Sequence, residues 1–114
     1  MACWDAHEQG MDRLVMAFES GTGFFRPTSI SVAGDAADLR RIQAIAGLLA
    51  SAGPFSAVAG GTGSDIRPLM LWGVPTLSRH SGGERYMYYH HADADMADKV
   101  DPDEMAHGVA VPAL

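Results

Sequence analysis

Apolar segments of strand length alternate with segments of helical periodicity along this chain of 114 residues. The strand-like segments lie at residues 14–19, 29–32, 55–59 and 74–78, and short apolar or alternating runs of this kind are typical of a buried sheet. After Asp35, which can cap a helix, apolar side chains recur at helical spacing at Leu39, Ile42, Ala46 and Leu49. The alternation predicts an α/β layer fold.

Local signals predict where further helices begin and end. The last helix is predicted to begin at Asp101, because Asp caps a helix, Pro102 suits its first position and Glu104 its third. Residues 79–98 show no regular pattern, which is typical of a functional loop. The other signals are a weak helix at residues 4–13, a helix end at Gly53-Pro54, a short helix capped by Ser64 or Asp65 and ended by Gly73, and a final stop at Pro112.

Composition narrows the class of protein. Hydrophobic residues make up 47% of the chain and charged residues 19%, as in folded globular domains. The net charge of −6, without a cluster of Lys and Arg, argues against a nucleic-acid partner. Cys3 is the only cysteine, so an internal disulfide is excluded. We expect no membrane span, and the first residues do not read as a signal peptide.

The strongest chemical signal lies at residues 85–95, where two adjacent histidines follow a run of aromatic side chains. Carboxylates follow His91 at the second and fourth positions, as Asp93 and Asp95. Imidazole nitrogen and carboxylate oxygen are ligands of catalytic zinc, so the pattern suggests a metal site. On local spacing alone, a polar loop that opens an acidic helix start is the better interpretation of the segment.

Three blocks in order resemble the di-zinc exopeptidase family that contains bacterial zinc aminopeptidases and the carboxypeptidase Q type, metallopeptidase family twenty-eight. The blocks cover nearly the whole chain. They are Phe18-Glu19-Ser20-Gly21-Thr22-Gly23, then Gly60-Gly61-Thr62-Gly63-Ser64-Asp65 with Gly73-Val74-Pro75, and finally Arg85-Tyr86-Met87-Tyr88-Tyr89-His90-His91 through Asp98-Lys99-Val100-Asp101-Pro102. The resemblance implies a three-layer helix–sheet–helix sandwich, of which residues 1–114 would form the C-terminal portion.

The resemblance also implies a chemistry and a partial ligand set. In the family, two zinc ions activate a water molecule that attacks a terminal peptide bond, with a general-base Glu taking the proton. His91 occupies the position of the last zinc ligand, and Gly21 stands where the family has an Asp ligand. The other ligands and the general base would lie upstream of Met1. We therefore expect that this chain alone neither holds two zinc ions nor cleaves peptides.

Three further residues are candidates for supporting roles. By resemblance, Asp65 lies in a loop beside the substrate pocket, although the ordinary role of such a residue is a helix cap. His90 would orient the loop. Asp95 could accept a hydrogen bond from an imidazole N–H, a common arrangement around metal-bound histidine. We expect His91 and Asp65 to face a common concave surface.

Two other functions remain open at this stage. The chain could be a non-catalytic remnant or interaction module that keeps the fold, or one part of a split enzyme that works only with the missing N-terminal half. If the chain is half a domain, the sheet edge and helix faces that normally pack on the missing half would be exposed, so we expect self-association or poor solubility of the chain alone. Family members are often exported, but the location of this chain stays unknown.

Overall fold

Strands and helices alternate along the chain, as the sequence predicts. The computed structural model describes residues 8–49, 55–111 and 113. Within them the elements are a 3-10 helix at Glu8–Arg13, β1 (Ala17–Glu19), β2 (Pro27–Ala33), α1 (Ala36–Leu48), β3 (Ser56–Ala59), α2 (Arg67–Leu71), β4 (Thr76–Ser81), α3 (Tyr86–Tyr89), a 3-10 helix at Ala97–Lys99 and α4 (Pro102–Ala110). None of the described helices is long and apolar enough to cross a membrane.

The four strands form one mixed sheet in the order β1-β4-β2-β3. β1 runs parallel to β4, and β2 runs parallel to β3. β2 and β4 are antiparallel, and Ser31 of β2 lies opposite Ser78 of β4. The carboxyl ends of β1 and β4 therefore lie at the same edge of the sheet. The loop that contains Gly21 and the loop that contains His91 begin at this edge.

The hydrophobic core lies between one face of the sheet and α1. Side chains alternate between the faces of a strand, so Ile30 and Val32 point to this side with Leu77. They form a buried cluster with Ala57 and with Ile42 and Ala46 of α1. Ser31 and Ser78 consequently face the other side of the sheet, where they are also buried.

The predicted helix caps Asp35 and Asp101 are confirmed. The Asp35 carboxylate accepts hydrogen bonds from the backbone N–H groups of Asp38 and Ala37, and the Asp38 carboxylate accepts one from the Asp35 N–H. These bonds, that from Asp38 first, lower the pKa of Asp35. Asp101 caps α4 through the N–H groups of Asp103 and Glu104, with Pro at the start of the helix.

One segment crosses the polar face of the sheet. We call residues 60–66 the crossing segment. It starts beside β2, where Gly60 N–H donates to Val32 O (3.1 Å) and Ser31 Oγ donates to Gly61 O (2.8 Å). It then passes over β4, where Gly63 N–H donates to Ser78 Oγ (2.8 Å), and ends at β1. The chain approaches β2 so closely that a Cβ on Gly60 would lie 2.8 Å from the Ser31 Cβ.

Some predicted boundaries are wrong. Neither Ser64 nor Asp65 caps α2; its N-cap is Ile66, which makes no side-chain cap hydrogen bond. Residues 14–16 lie before β1, and residues 79–81 belong to β4 rather than to a loop, because they pair with β2. The loop that follows also contains a short helix, α3. Gly73, with φ of 85°, ends α2 as predicted. Residues 4–7, Gly53-Pro54 and Pro112 lie outside the described residues.

Two adjacent glycines of the crossing segment provide a matched test of this geometry. We expect Gly60→Ala to lower the free energy of unfolding by about 1–3 kcal/mol, because its Cβ would overlap Ser31 on a fixed strand. Gly61→Ala meets nothing within 4 Å and should be neutral or slightly stabilising. Urea unfolding followed by circular dichroism measures both. Equal effects of the two substitutions would show that the segment does not lie against β2 in this way.

Candidate functional site

A cavity of about 510 Å³ lies on the polar face of the sheet, beside the crossing segment. Strand residues with polar side chains line one part of it, and the loop after β1 lines another. The described lining consists of Glu19, Gly21, Thr22, Ser31, Val58, Ala59, Gly60, Gly61, Thr62, Gly63, Ser78, Arg79 and His80. The position predicted to have lost a zinc ligand, Gly21, is therefore at a concave surface.

The Glu19 carboxylate at the end of β1 holds the far end of the crossing segment. Its Oε2 accepts hydrogen bonds from the N–H groups of Asp65 (3.1 Å) and Ile66 (3.3 Å). Its Oε1 faces two glycines: a Cβ on Gly21 would lie 2.8 Å from it, and a Cβ on Gly63 would overlap it. Glu19 thus fills the space that a larger residue at either position would enter.

His80 is hydrogen-bonded to Ser31, and the bonding pattern determines its tautomer. Ser31 Oγ lies 2.8 Å from Gly61 O and 2.9 Å from His80 Nε2. The hydroxyl has one hydrogen, and it donates that hydrogen to the carbonyl. His80 Nε2 must then carry the hydrogen of the second bond, which leaves Nδ1 of the neutral ring as an acceptor. The cavity therefore includes an imidazole whose orientation is set by Ser31.

Arg79 holds the loop after β1 from the opposite face of the sheet. Its Nη1 donates to Phe25 O (3.0 Å) and its Nη2 donates to Gly23 O. The residue is 3% exposed, burial lowers its pKa, and its Nε has no partner among the described residues. Gly108 of α4 makes room for it, since a Cβ there would lie 3.0 Å from Nη1. Arg79 therefore positions the segment just after Gly21.

Aromatic contacts join this segment to the helix that precedes His91. The rings of Phe24 and Phe25 lie 6.2 and 6.0 Å from that of Tyr89. The Arg85 guanidinium lies 4.7 Å above the Phe25 ring, and Arg85 also pairs with Glu104 of α4 at 2.6 Å. The loops of Gly21 and His91, far apart in sequence, are thus packed together.

The two histidines are exposed at the end of α3. His90 stacks on Tyr86 with ring centroids 4.5 Å apart, and its Nε2 lies 3.3 Å from the Tyr86 hydroxyl. The His90 and His91 rings are 4.0 Å apart, and His91 adopts a φ of 54°, which is uncommon for a residue with a side chain. At His91 the backbone therefore leaves the helical path of α3.

The other predicted site residues do not converge on the cavity. Asp65 and Asp95 are exposed, and neither they nor His90 or His91 are among its described lining. In the described part of the chain, no group of three or more His, Cys, Asp or Glu side chains is arranged to hold a metal ion. The roles assigned to these residues by resemblance stay predictions.

Sequence reasoning missed several residues of the cavity. His80 was not among the candidate site residues, and Glu19 was named only as part of the first resemblance block. The signal was alternation: in β4, Thr76, Ser78 and His80 occupy every second position, so one face of a central strand is polar. A polar face on a central strand predicts that something polar covers it, here the crossing segment.

Comparison with known proteins identifies relatives along nearly the whole chain. No protein-family model matches it. Carboxypeptidase Q of Pongo abelii is 26% identical over 111 residues, and that of Homo sapiens 25%; each match covers 97% of this chain and 24% of the relative. The crystal structure of a peptidase M28 precursor from Shewanella amazonensis SB2B has a TM-score of 0.88 and 26% identity, covering 98% of this chain and 26% of that one.

The chain therefore spans about a quarter of the length of the relatives that it matches. The match confirms the mixed α/β architecture, with its sheet of four strands. It also confirms the resemblance that the glycine-rich and His-His segments indicated. On these grounds, the chain is similar in sequence to carboxypeptidase Q and in sequence and fold to a peptidase M28 structure.

Proposed function

We propose that this chain is the C-terminal segment of a zinc-dependent exopeptidase, that it supplies one zinc ligand and part of the substrate site, and that it is inactive alone. The observation that carries the proposal is the extent of the match, which runs along 97% of this chain and 24% of carboxypeptidase Q. The remaining three quarters of such a protein would have to supply the other ligands and the general base of a hydrolytic site. In this proposal, His91 is the ligand from this segment.

The residues that the structure describes do not by themselves fit a catalytic zinc site. Such a site needs about three protein ligands and an open position for water. His91 is one imidazole, Gly21 has no side chain to offer, and Oε2 of the nearby Glu19 already accepts two backbone N–H groups. When zinc is bound in the whole enzyme, it supplies an activated water for attack on the terminal peptide bond. Loss of the general-base Glu alone costs about 100- to 10,000-fold in rate.

The contribution of this segment to a whole site is positional. Glu19 and the crossing segment form one wall of the cavity, and Ser31 orients the His80 ring within it. Arg79 and the Phe24, Phe25 and Tyr89 rings hold the loop of Gly21 against the helix before His91. We assign the cavity to the end residue of a peptide, because hydrogen-bonding groups next to a closed wall suit recognition of a chain terminus.

A second candidate is a non-catalytic module that keeps the peptidase fold. Gly21 favours it, since the expected carboxylate ligand is absent from a position that lines the cavity. A carboxylate there would also meet Glu19 Oε1, whose like charge opposes it. The first candidate predicts that a carboxylate restored at position 21 increases zinc binding and hydrolysis in a whole domain, and the second predicts that it does not.

The isolated chain tests the first candidate directly. We expect less than one zinc ion per chain by elemental analysis, and no hydrolysis of aminoacyl or dipeptide substrates, because one fixed imidazole cannot retain a catalytic zinc. The control is the same protein with His91→Ala, which should behave identically. Two zinc ions per chain, with turnover abolished by His91→Ala, would contradict the proposal and reveal a complete site.

A chimera tests the position of Gly21. In it, this chain replaces the matching quarter of the Shewanella amazonensis peptidase M28 precursor. We expect Gly21→Asp to raise zinc content and hydrolysis by at least about tenfold, because it restores a carboxylate ligand.

Gly82→Asp is the matched control for that chimera. It adds the same charge to an exposed glycine outside the described lining of the cavity, where a Cβ meets nothing within 4 Å, and should leave zinc content and hydrolysis unchanged. A folded, monodisperse chimera that gains neither zinc nor turnover from Gly21→Asp would favour the non-catalytic candidate.

A further inference from the structure

Two ionisable side chains from neighbouring strands line the cavity beside the crossing segment. Glu19 of β1 lies opposite Ser78 of β4 in the sheet, and His80 lies two residues beyond Ser78 on the same face. Both Glu19 and His80 are in the lining of the cavity of about 510 Å³. The strand register therefore brings a carboxylate and an imidazole to neighbouring positions of one concave surface.

The atoms of these groups that make no internal hydrogen bond are acceptors. Glu19 Oε2 accepts two backbone N–H groups of the crossing segment, whereas Oε1 accepts none from the residues that the structure describes. His80 Nε2 donates to Ser31 Oγ, which leaves Nδ1 of the neutral ring as an acceptor. Thr62 Oγ1, also in the lining, is buried and has no hydrogen-bond partner in the described part of the chain. Each of these three atoms can accept a hydrogen from a ligand.

The charge presented to the cavity is negative. Arg79 is the one basic residue besides His80 in the described lining, but its guanidinium lies on the opposite face of the sheet, where it donates to the carbonyls of Phe25 and Gly23. The Glu19 carboxylate is therefore not neutralised by a cation of the described lining. A ligand that offers several N–H donors, no acceptor and a positive charge is complementary to these groups, as an ammonium or a guanidinium is.

The apolar part of the lining favours a cationic side chain over the α-ammonium of a peptide. Val58 and Ala59 of β3 line the same cavity, whose volume of about 510 Å³ is far larger than an ammonium group. Lys and Arg carry an aliphatic stem that packs on apolar surface while the charged end stays in polar surroundings. The α-ammonium has no stem of this kind, so it would leave the apolar part of the cavity unfilled.

We propose that this cavity binds the basic side chain of the end residue of a peptide, with the ammonium or guanidinium group at Glu19 Oε1 and His80 Nδ1. The aliphatic stem lies along the apolar part of the lining. This inference rests on the proposed function and adds to it a substrate class, peptides with Lys or Arg at the end that is removed. Glu19 and His80 are specificity-determining residues in this assignment and take no part in bond cleavage.

The test titrates the full, isotope-labelled chain with three small ligands and follows its amide signals by NMR. N-acetyl-L-lysine N-methylamide has a side-chain ammonium, L-norleucinamide has only an α-ammonium, and N-acetyl-L-norleucine N-methylamide has neither. We expect the lysine compound to shift the Gly63 and Thr22 signals to saturation. The two norleucine compounds should bind at least about tenfold more weakly, because neither brings a cation on an aliphatic stem to Glu19.

Matched substitutions locate the bound cation. Glu19→Gln keeps an oxygen for the two backbone N–H groups and removes the charge, so it should weaken binding of the lysine compound by at least about tenfold. Glu84→Gln removes the same charge from an exposed residue outside the described lining and should leave the affinity unchanged. His80→Phe keeps a ring but removes Nδ1, and should weaken binding by a smaller factor than Glu19→Gln. Circular dichroism checks that all three variants fold.

Three results would overturn the inference. They are the absence of saturable binding of the lysine compound, equal effects of Glu19→Gln and Glu84→Gln, and binding of either norleucine compound as tight as that of the lysine compound. Zinc and hydrolysis are not measured in this experiment, so its failure would leave the proposed function standing. Conversely, selective binding of the lysine compound would leave the assignment of the cavity standing if the chimera gained neither zinc nor turnover.

Discussion

The hydrogen bonds between residues 60–66 and three strands determine where the rest of the site lies. The segment bonds to Val32 and Ser31 of β2, to Ser78 of β4 and to Glu19 of β1. Most buried polar groups on a sheet face find partners, and here one loop supplies those of Ser31 and Ser78. Its backbone can approach because glycines face Ser31 and Glu19. The cavity, His80 and the end of β1 are all positioned relative to this loop.

The sequence predicted the parts of the fold that local chemistry controls. Asp35, Asp101 and Gly73 act within a turn of their own helix ends, and all three predictions are confirmed. The predicted cap of α2 is wrong because the acceptor for the backbone N–H groups at the start of that turn comes from a residue distant in sequence. Glu19 reaches the Asp65 N–H from 46 residues away. Such a contact depends on strand order, which residue spacing does not specify.

In the candidate site, too, some residues could be predicted from the sequence and others could not. Resemblance selected Gly21 and His91 as ligand positions, and the structure packs their loops together through Phe24, Phe25 and Tyr89. It could not select Arg79, since a buried guanidinium in a strand has no distinctive sequence signal. The role of Arg79 depends on two carbonyls more than 50 positions away and on space beside Gly108. Resemblance therefore identified positions, and the structure identified what holds them.

The bonds of Glu19 have an evolutionary consequence. Replacing this residue would leave two backbone N–H groups without their acceptor, a cost of about 0.5–1.5 kcal/mol for each hydrogen bond. Selection for folding would therefore retain Glu19 and Gly63, whose Cβ would overlap it, in a lineage that had abandoned hydrolysis. The presence of these residues in a sequence is therefore not evidence of catalysis. Position 21 differs, because no contact of the fold requires a side chain there. Substitutions at that position can therefore follow the loss of catalysis while the surrounding sequence is retained.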